Sequence, residues 1–479
     1  MFENILGYAV AGLEFVFVFH LLLIFADNKK AWLLLIVLYP LYNRFQPYFP
    51  SYNLSNIIYI NYLTVFIFSS FIAGGLKGKL WYPKSNLMIE FLILSILYIY
   101  ALISLQSVAL LTINTIFLSF IIMRMTVASM FVRDEHFKRL FFRSVFYSFL
   151  LSVFIMYLEI KRFGLPFSPA MITAMAYRRE AVIPGEYLSN VFSGGFHEPL
   201  QYAVWLVLII PLFMYAYKRY GEKKYMIGIF LASLLTILIM ERRPLLVLLL
   251  YGAYFVMSAK GYKFIIYTLI IIIPSAWFIN AMLPTLMAAP FSHYDTLFGI
   301  SIDQNAYRYI KSALSGIGHL LEYPLGTGFS PPDIVPDHIT HIYNLYASPT
   351  SLTYGFPVGT GGIFLGVGFF AFIPVMYLAR ILFKAKGYWR YYLIPLSIGL
   401  FNFSGDLAQF HLAPSGILRV TADDIYISLY ASFVVAFLLA DRYHVSQRSR
   451  GTLHEIHTTT RRLDNLPTRS AQLAIKGHG

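Results

Sequence analysis

Apolar stretches of about 20 residues recur along this chain between short polar segments, and that length matches the hydrocarbon core of a bilayer. They fall near 7–26, 31–44, 55–75, 87–104, 107–127, 141–160, 200–217, 225–241, 244–259, 264–283, 356–383, 391–405 and 424–441. The pattern predicts an all-α, polytopic membrane protein with about 12–14 transmembrane helices. The first run lacks a basic leader and a small-residue cleavage site, so it reads as a retained span rather than a signal peptide. Two polar segments, about 161–200 and 284–355, are too long for simple turns and are expected to carry short helices. Residues 1–441 thus form one transmembrane domain. Residues 442–479 are poor in large apolar side chains, rich in Arg, Thr and His, and read as a basic disordered tail.

Charge orients the spans. Lys29-Lys30, Lys77/Lys79/Lys84, Arg133/Lys138/Arg139, Lys218/Arg219/Lys223/Lys224, Lys260/Lys263 and Lys384/Lys386/Arg390 occupy every second short loop. By the positive-inside rule these loops and the tail are cytoplasmic, and both long loops face outward. The net charge of +14 is accounted for by topology and contact with anionic lipid, so it does not call for a nucleic-acid partner. Composition agrees, with 58% hydrophobic and 13% charged residues, against about 25% charged in soluble domains. The absence of cysteine excludes disulfides, thiolate metal sites and a cysteine nucleophile.

Ionisable residues on the outer side are the candidates for chemistry, because membrane proteins seldom keep charges there without use. Arg178-Arg179 in the first long loop suit bidentate phosphate contacts, or pairing with Glu180 or Glu186. Glu241-Arg242-Arg243 sits at an outer turn, before a helix that Pro244 can open; it is either an anion site or an internal ion pair closing a hairpin. Residues 304–321 read as an amphipathic helix with Arg308 and Lys311 on one face, stopped at Pro324-Leu325-Gly326-Thr327-Gly328. Asp337-His338-Ile339-Thr340-His341 offers a general base. The His338/His341 pair is also a conceivable metal pair, but no third ligand is evident and no metal is expected. His197-Glu198, after Ser193-Gly194-Gly195-Phe196, either orients substrate or caps the next helix. Glu14, Glu90 and Arg124 lie within or beside apolar runs and are candidates for facing a cavity. Asp406, His411, Arg419, Asp423 and Asp424 fall in the last outer loop.

Four of these segments, in order, resemble the O-antigen polymerase and O-antigen ligase superfamily of bacterial membrane glycosyltransferases. They are Ser193-Gly-Gly-Phe-His-Glu-Pro199 leading into an apolar helix, Glu241-Arg-Arg-Pro-Leu-Leu, Gln304–Gly328 with Arg308 and Pro324-Leu-Gly-Thr-Gly, and His341-Ile-Tyr-Asn344-Leu-Tyr followed by Gly355 and Gly359. In the family pattern a His directly precedes the Asn; here Tyr343 takes that place, and His341 stands two residues earlier with His338 as its rival. The resemblance implies a glycan donor on undecaprenyl pyrophosphate, used without metal or cofactor on the periplasmic face of the inner membrane. It implies diphosphate contacts from Arg178, Arg179, Arg242, Arg243, Arg308 and Lys311. Catalytic roles would go to His341 or His338 with Arg308, and glycan contacts to His197, Glu198, Tyr343 and Asn344. The acceptor is a second lipid-linked repeat unit for a polymerase and lipid A core for a ligase. A chain-length regulator is a further candidate partner. Polymerases of this group carry an Arg and a Gly fifteen intervening residues apart in an outer loop, a spacing that Arg178–Gly194 and Arg179–Gly195 share. The expected function is therefore polymerisation, with ligation as the alternative. A lipid-linked oligosaccharide flippase or transporter is the rival from another class, and it predicts charges buried along the helices rather than in loops.

Overall fold

The computed structural model describes residues 2–42, 52–78, 80–103, 118–163, 182–183, 186–187, 194–196, 199–239, 244–245, 247–249, 251–252, 294–297, 300–303, 320, 324–326, 368–383, 429–430, 432–441 and 443. The described part is overwhelmingly helical. Its elements are α1 (Phe2–Tyr42), α2 (Tyr52–Leu76), α3 (Lys84–Ile103), α4 (Ser119–Arg133), α5 (Glu135–Phe163), α6 (Pro199–Tyr220), α7 (Lys223–Ile239), α8 (Phe372–Phe383) and α9 (Ser432–Asp441). Each lies on an apolar run of the sequence. Among the described residues, Glu135–Lys161 and Gln201–Tyr220 are long and apolar enough to cross a membrane. At 1.5 Å per residue their 27 and 20 residues reach about 40 and 30 Å, against a hydrocarbon core of about 30 Å.

The first two apolar runs share one label, α1, but the backbone leaves the helical region at Asp27 (φ −146°, ψ 90°). There Asp27 acts as an N-cap, its carboxylate accepting from the Lys30 amide at 3.1 Å. The chain folds back sharply: His20 reaches the Ala31 carbonyl at 2.7 Å, whereas 11 residues of straight helix would span about 16 Å. A carbonyl only accepts, so His20 Nε2 carries the proton, and the Tyr62 hydroxyl meets Nδ1. At the elbow, Asn28 Nδ2 donates to the Ser70 carbonyl (2.9 Å), and the Trp32 indole donates to Ser70 Oγ (2.7 Å), locking α1 to α2.

The core is aromatic. Phe131 and Phe141 pack edge-on at 5.1 Å, Phe142 and Tyr215 stack at 5.5 Å, and Phe437 meets Tyr215 at 4.7 Å, joining α4, α5, α6 and α9. These rings fill large volumes with few rotatable bonds and favour the offset or edge-on contacts seen. Gly228 lets α7 close on its neighbours: a Cβ there would lie 2.9 Å from the Phe213 ring and 3.3 Å from Phe146.

The two ends of the bundle differ chemically. At one end the basic turns interlock. Lys29 pairs with Asp134, Glu135 takes Lys138 (3.0 Å) and Arg219 (3.5 Å), and Glu222 takes Arg139 (2.8 Å), Arg143 (3.4 Å) and Lys224 (2.6 Å). The Trp81 and Tyr443 rings meet at 4.9 Å, tilted by 60°, on this same end. Three loops read as sharing one side of a membrane thus touch one another. At the opposite end, Gly195 abuts Pro40 in the last turn of α1 and Ile155 in the C-terminal third of α5, just before the start of α6.

The acidic residues of the basic end make its stability acid-sensitive. Glu222 is held down to about 2, first by the Lys224 hydrogen bond, against the upward pull of burial, with Arg139 and Arg143 adding to the effect. A depressed folded value means that this stabilisation is complete above the ordinary 4.5 and fades as pH falls from there toward about 2. For Asp134, burial pushes upward but the Lys29 and Phe137 hydrogen bonds prevail, and the carboxyl titrates low as well. The thermal midpoint of Glu222→Gln is therefore expected to lie below that of the unaltered chain at pH 6 and to converge with it near pH 2. A gap that stays constant over this range would show that Glu222 is not the titrating group.

Within the two long polar segments the described residues form two short antiparallel strand pairs. Val182–Ile183 (β1) pairs with Glu186–Tyr187 (β2), and Tyr294–Leu297 (β3) with Ile300–Asp303 (β4). The second pairs Leu297 with Ile300, which leaves a two-residue connection. Apolar and polar residues alternate along β4 (Ile300-Ser301-Ile302-Asp303), the period of a strand and not of a helix. The 304–321 helix read from the sequence lies outside the described residues, apart from Leu320.

Candidate functional site

Three described features bear on a site. The first is the glycine plug before α6. Gly194 (φ +55°) and Gly195 (φ +97°) adopt left-handed backbone conformations that side chains disfavour. A Cβ on Gly194 would sit 2.4 Å from the Tyr202 ring, and one on Gly195 2.6 Å from the Pro40 carbonyl oxygen. The Gly194 amide donates to Glu159 Oε2 at 3.1 Å. Phe196 is buried at 5.5 Å from Tyr202 and 5.2 Å from Trp205. The two glycines of the Arg-to-Gly spacing thus serve close packing. They seat the chain at the head of α6, immediately before His197 and Glu198 in sequence.

The second is the Pro324–Gly326 turn. Its Pro324 carbonyl accepts from the Phe369 amide at 2.9 Å, and the Tyr100 hydroxyl donates to the Leu325 carbonyl. Gly368 (φ +60°) makes room, since a Cβ there would lie 2.2 Å from the Pro324 carbonyl oxygen. Tyr100 is in the last turn of α3. The chain just before the start of α3 is bonded to the C-terminal part of α4 at the basic end, with the Trp81 amide donating to Ser129 Oγ at 2.5 Å. The turn is therefore anchored at the end remote from the basic loops, the same end as the glycine plug.

The third is a polar cluster inside the bundle. Glu90 Oε1 accepts from the Tyr377 hydroxyl (2.5 Å), the Tyr82 hydroxyl (2.7 Å) and Arg124 Nε (3.1 Å). Arg124 Nη1 also donates to Ser432 Oγ at 3.3 Å, and Asn86 Nδ2 to the Tyr377 hydroxyl at 3.2 Å. Glu90 is only 3% exposed, and its second oxygen, Oε2, has no hydrogen-bond partner among the described residues. Three donors converge on one oxygen, and with the Arg124–Ser432 bond the Glu90–Arg124 pair ties α3, α4, α8 and α9 together. The sequence marked Glu90 and Arg124 as charges in apolar surroundings. It did not reveal Tyr82, Asn86, Tyr377 or Ser432 as their partners, since tyrosine is common in this chain and the helices involved are remote from one another.

His341, His338, Arg308, Lys311, Arg178, Arg179, Arg242, Arg243, His197, Glu198, Tyr343 and Asn344 all lie outside the described residues, as does the side chain of Glu14. What the described residues contribute is the scaffold on either side of these segments. No family model, no curated protein and no solved structure matches the chain.

Proposed function

We propose that this chain is a polytopic membrane glycosyltransferase that polymerises undecaprenyl-pyrophosphate-linked repeat units into O-antigen or a related surface polysaccharide on the periplasmic face of the inner membrane. The observation that carries this reading is the shared position of the glycine plug and the Pro324–Gly326 turn. Both belong to segments that resemble the O-antigen polymerase and ligase superfamily, and both are anchored at the bundle end away from the basic loops. That common end supports a site shared between the two long loops.

In this reading an acceptor sugar hydroxyl attacks the anomeric carbon of the donor glycan. The new glycosidic bond forms as the bond to the lipid diphosphate breaks. Arg243, Arg308 and the Arg178/Arg179 pair hold the diphosphate and offset the charge that grows on it as it leaves. His341, or its rival His338, takes the hydroxyl proton. Ligation to lipid A core uses the same donor chemistry with another acceptor. Arg308→Ala or His341→Ala is expected to lower turnover by roughly 100- to 1000-fold while leaving the membrane level of the protein unchanged. In cells lacking the chain, single repeat units on core would indicate a lost polymerase, and accumulated lipid-linked polymer a lost ligase. Full-length glycan in those cells would contradict both.

One observation favours the transporter reading. Charges are not confined to loops: Glu90 and Arg124 pair inside the helices, as a translocation path would require. Flux of a lipid-linked oligosaccharide in vesicles, without bond formation, is the outcome that reading predicts.

A further inference from the structure

We propose that the face shared by α5 and α7 at the basic end is a binding site for an anionic phospholipid. The inference is independent of the reaction assigned above. Arg139, Arg143 and Lys224 converge on the single carboxylate of Glu222, leaving an excess of two positive charges. The neighbouring Glu135 does not offset it, being taken by Lys138 and Arg219. All three cations keep solvent access, with 46%, 36% and 30% of their side chains exposed. The buried Nε of Arg143 has no hydrogen-bond partner among the described residues.

Below the cations the same face turns apolar. On α5, Arg139 and Arg143 are followed at helical spacing by Tyr147, Leu150 and Phe154, all exposed. On α7, Phe230 and Leu234 continue an exposed stripe in the same direction. The two helices are in contact here, with Lys224 Nζ 5.8 Å from the Phe146 ring and Gly228 against Phe146. Cations above a band of exposed apolar side chains match a phosphate headgroup above acyl chains. A free phosphate would use only the upper half. Guanidinium groups suit the phosphodiester oxygens, and the apolar band selects a lipid over a soluble anion.

The test titrates the full chain, purified in a neutral detergent, with phosphatidylglycerol, with phosphatidylcholine of the same acyl chains, and with inorganic phosphate, reading the thermal midpoint. Phosphatidylglycerol alone is expected to raise it. The doubly substituted Arg143→Gln/Lys224→Gln chain should need roughly 30-fold more of this lipid for the same shift, about 5-fold per cation removed. Glu222→Gln, which frees the cations, should need less, and it decides the matter should the double variant not fold. Equal shifts with phosphatidylcholine, an equal shift with inorganic phosphate, or an unchanged lipid requirement in the substituted chains would overturn the proposal.

Discussion

Glu90→Ala is expected to destabilise the protein by about 3–5 kcal/mol, the cost of breaking a buried ion pair from one side. The pair is well enclosed, with 2% of the Glu90 side chain and 17% of that of Arg124 exposed. Removing the carboxylate would strand the Arg124 guanidinium among apolar helices, with Ser432 Oγ at 3.3 Å its remaining hydrogen-bond partner among the described residues. It would also strip the Tyr82 and Tyr377 hydroxyls of their acceptor. Replacing both charges, as Glu90→Gln/Arg124→Met, should cost much less than the sum of the single changes, because no uncompensated charge remains. Thermal unfolding in detergent of the unaltered chain, Glu90→Ala, Glu90→Gln, Arg124→Met and the double variant checks this. A midpoint for Glu90→Ala equal to that of the unaltered chain would show that the cluster does not hold the four helices together.

Gly195→Ala is expected to be comparably severe. The new methyl carbon would be forced to 2.6 Å from the Pro40 carbonyl oxygen and 3.0 Å from Ile155 Cδ1, at a φ of +97°. Backbone strain of about 1–3 kcal/mol adds to overpacking of similar size, and a backbone oxygen cannot swing aside as a side-chain tip can. Gly221 is the internal control: its φ is +69°, but nothing lies within 4 Å of an added Cβ. Gly221→Ala should therefore show the smaller loss from the left-handed backbone alone, about 1–2 kcal/mol. Equal losses at the two positions would mean that close packing at the glycine plug contributes nothing.

Hydrophobic periodicity made the helices legible because a membrane-length apolar run has few other uses. The runs at 55–75, 141–160 and 200–217 fall on α2, α5 and α6. The break between the first two runs was visible as Lys29-Lys30, and Asp27 supplies its physical cause. Contacts between distant helices were not legible. Glu90 and Arg124 stood out as charges in apolar surroundings, yet Tyr377 lies 287 positions from Glu90, and no local pattern announces that pairing. His20 is illegible for the opposite reason: an imidazole with both nitrogens bonded inside the bundle leaves no trace in hydropathy. Gly194 and Gly195 were visible as a motif, but their packing against Tyr202 and Pro40 depends on how α1, α5 and α6 meet. The paired strands at Val182–Ile183 and Glu186–Tyr187, and at Tyr294–Leu297 and Ile300–Asp303, are two to four residues long, too short for a period to stand out in a polar segment.

Arginines at a membrane surface suit both diphosphate transfer and lipid transport, so the two readings separate only by whether a bond is made. The decisive measurement supplies the purified chain with undecaprenyl-pyrophosphate-linked repeat units in detergent and follows glycan length together with released lipid diphosphate. The account predicts that glycans lengthen, that one lipid diphosphate is released per bond formed, and that Arg308→Ala slows both by roughly 100- to 1000-fold. No lengthening, alongside movement of the intact lipid-linked glycan across vesicles, would contradict it.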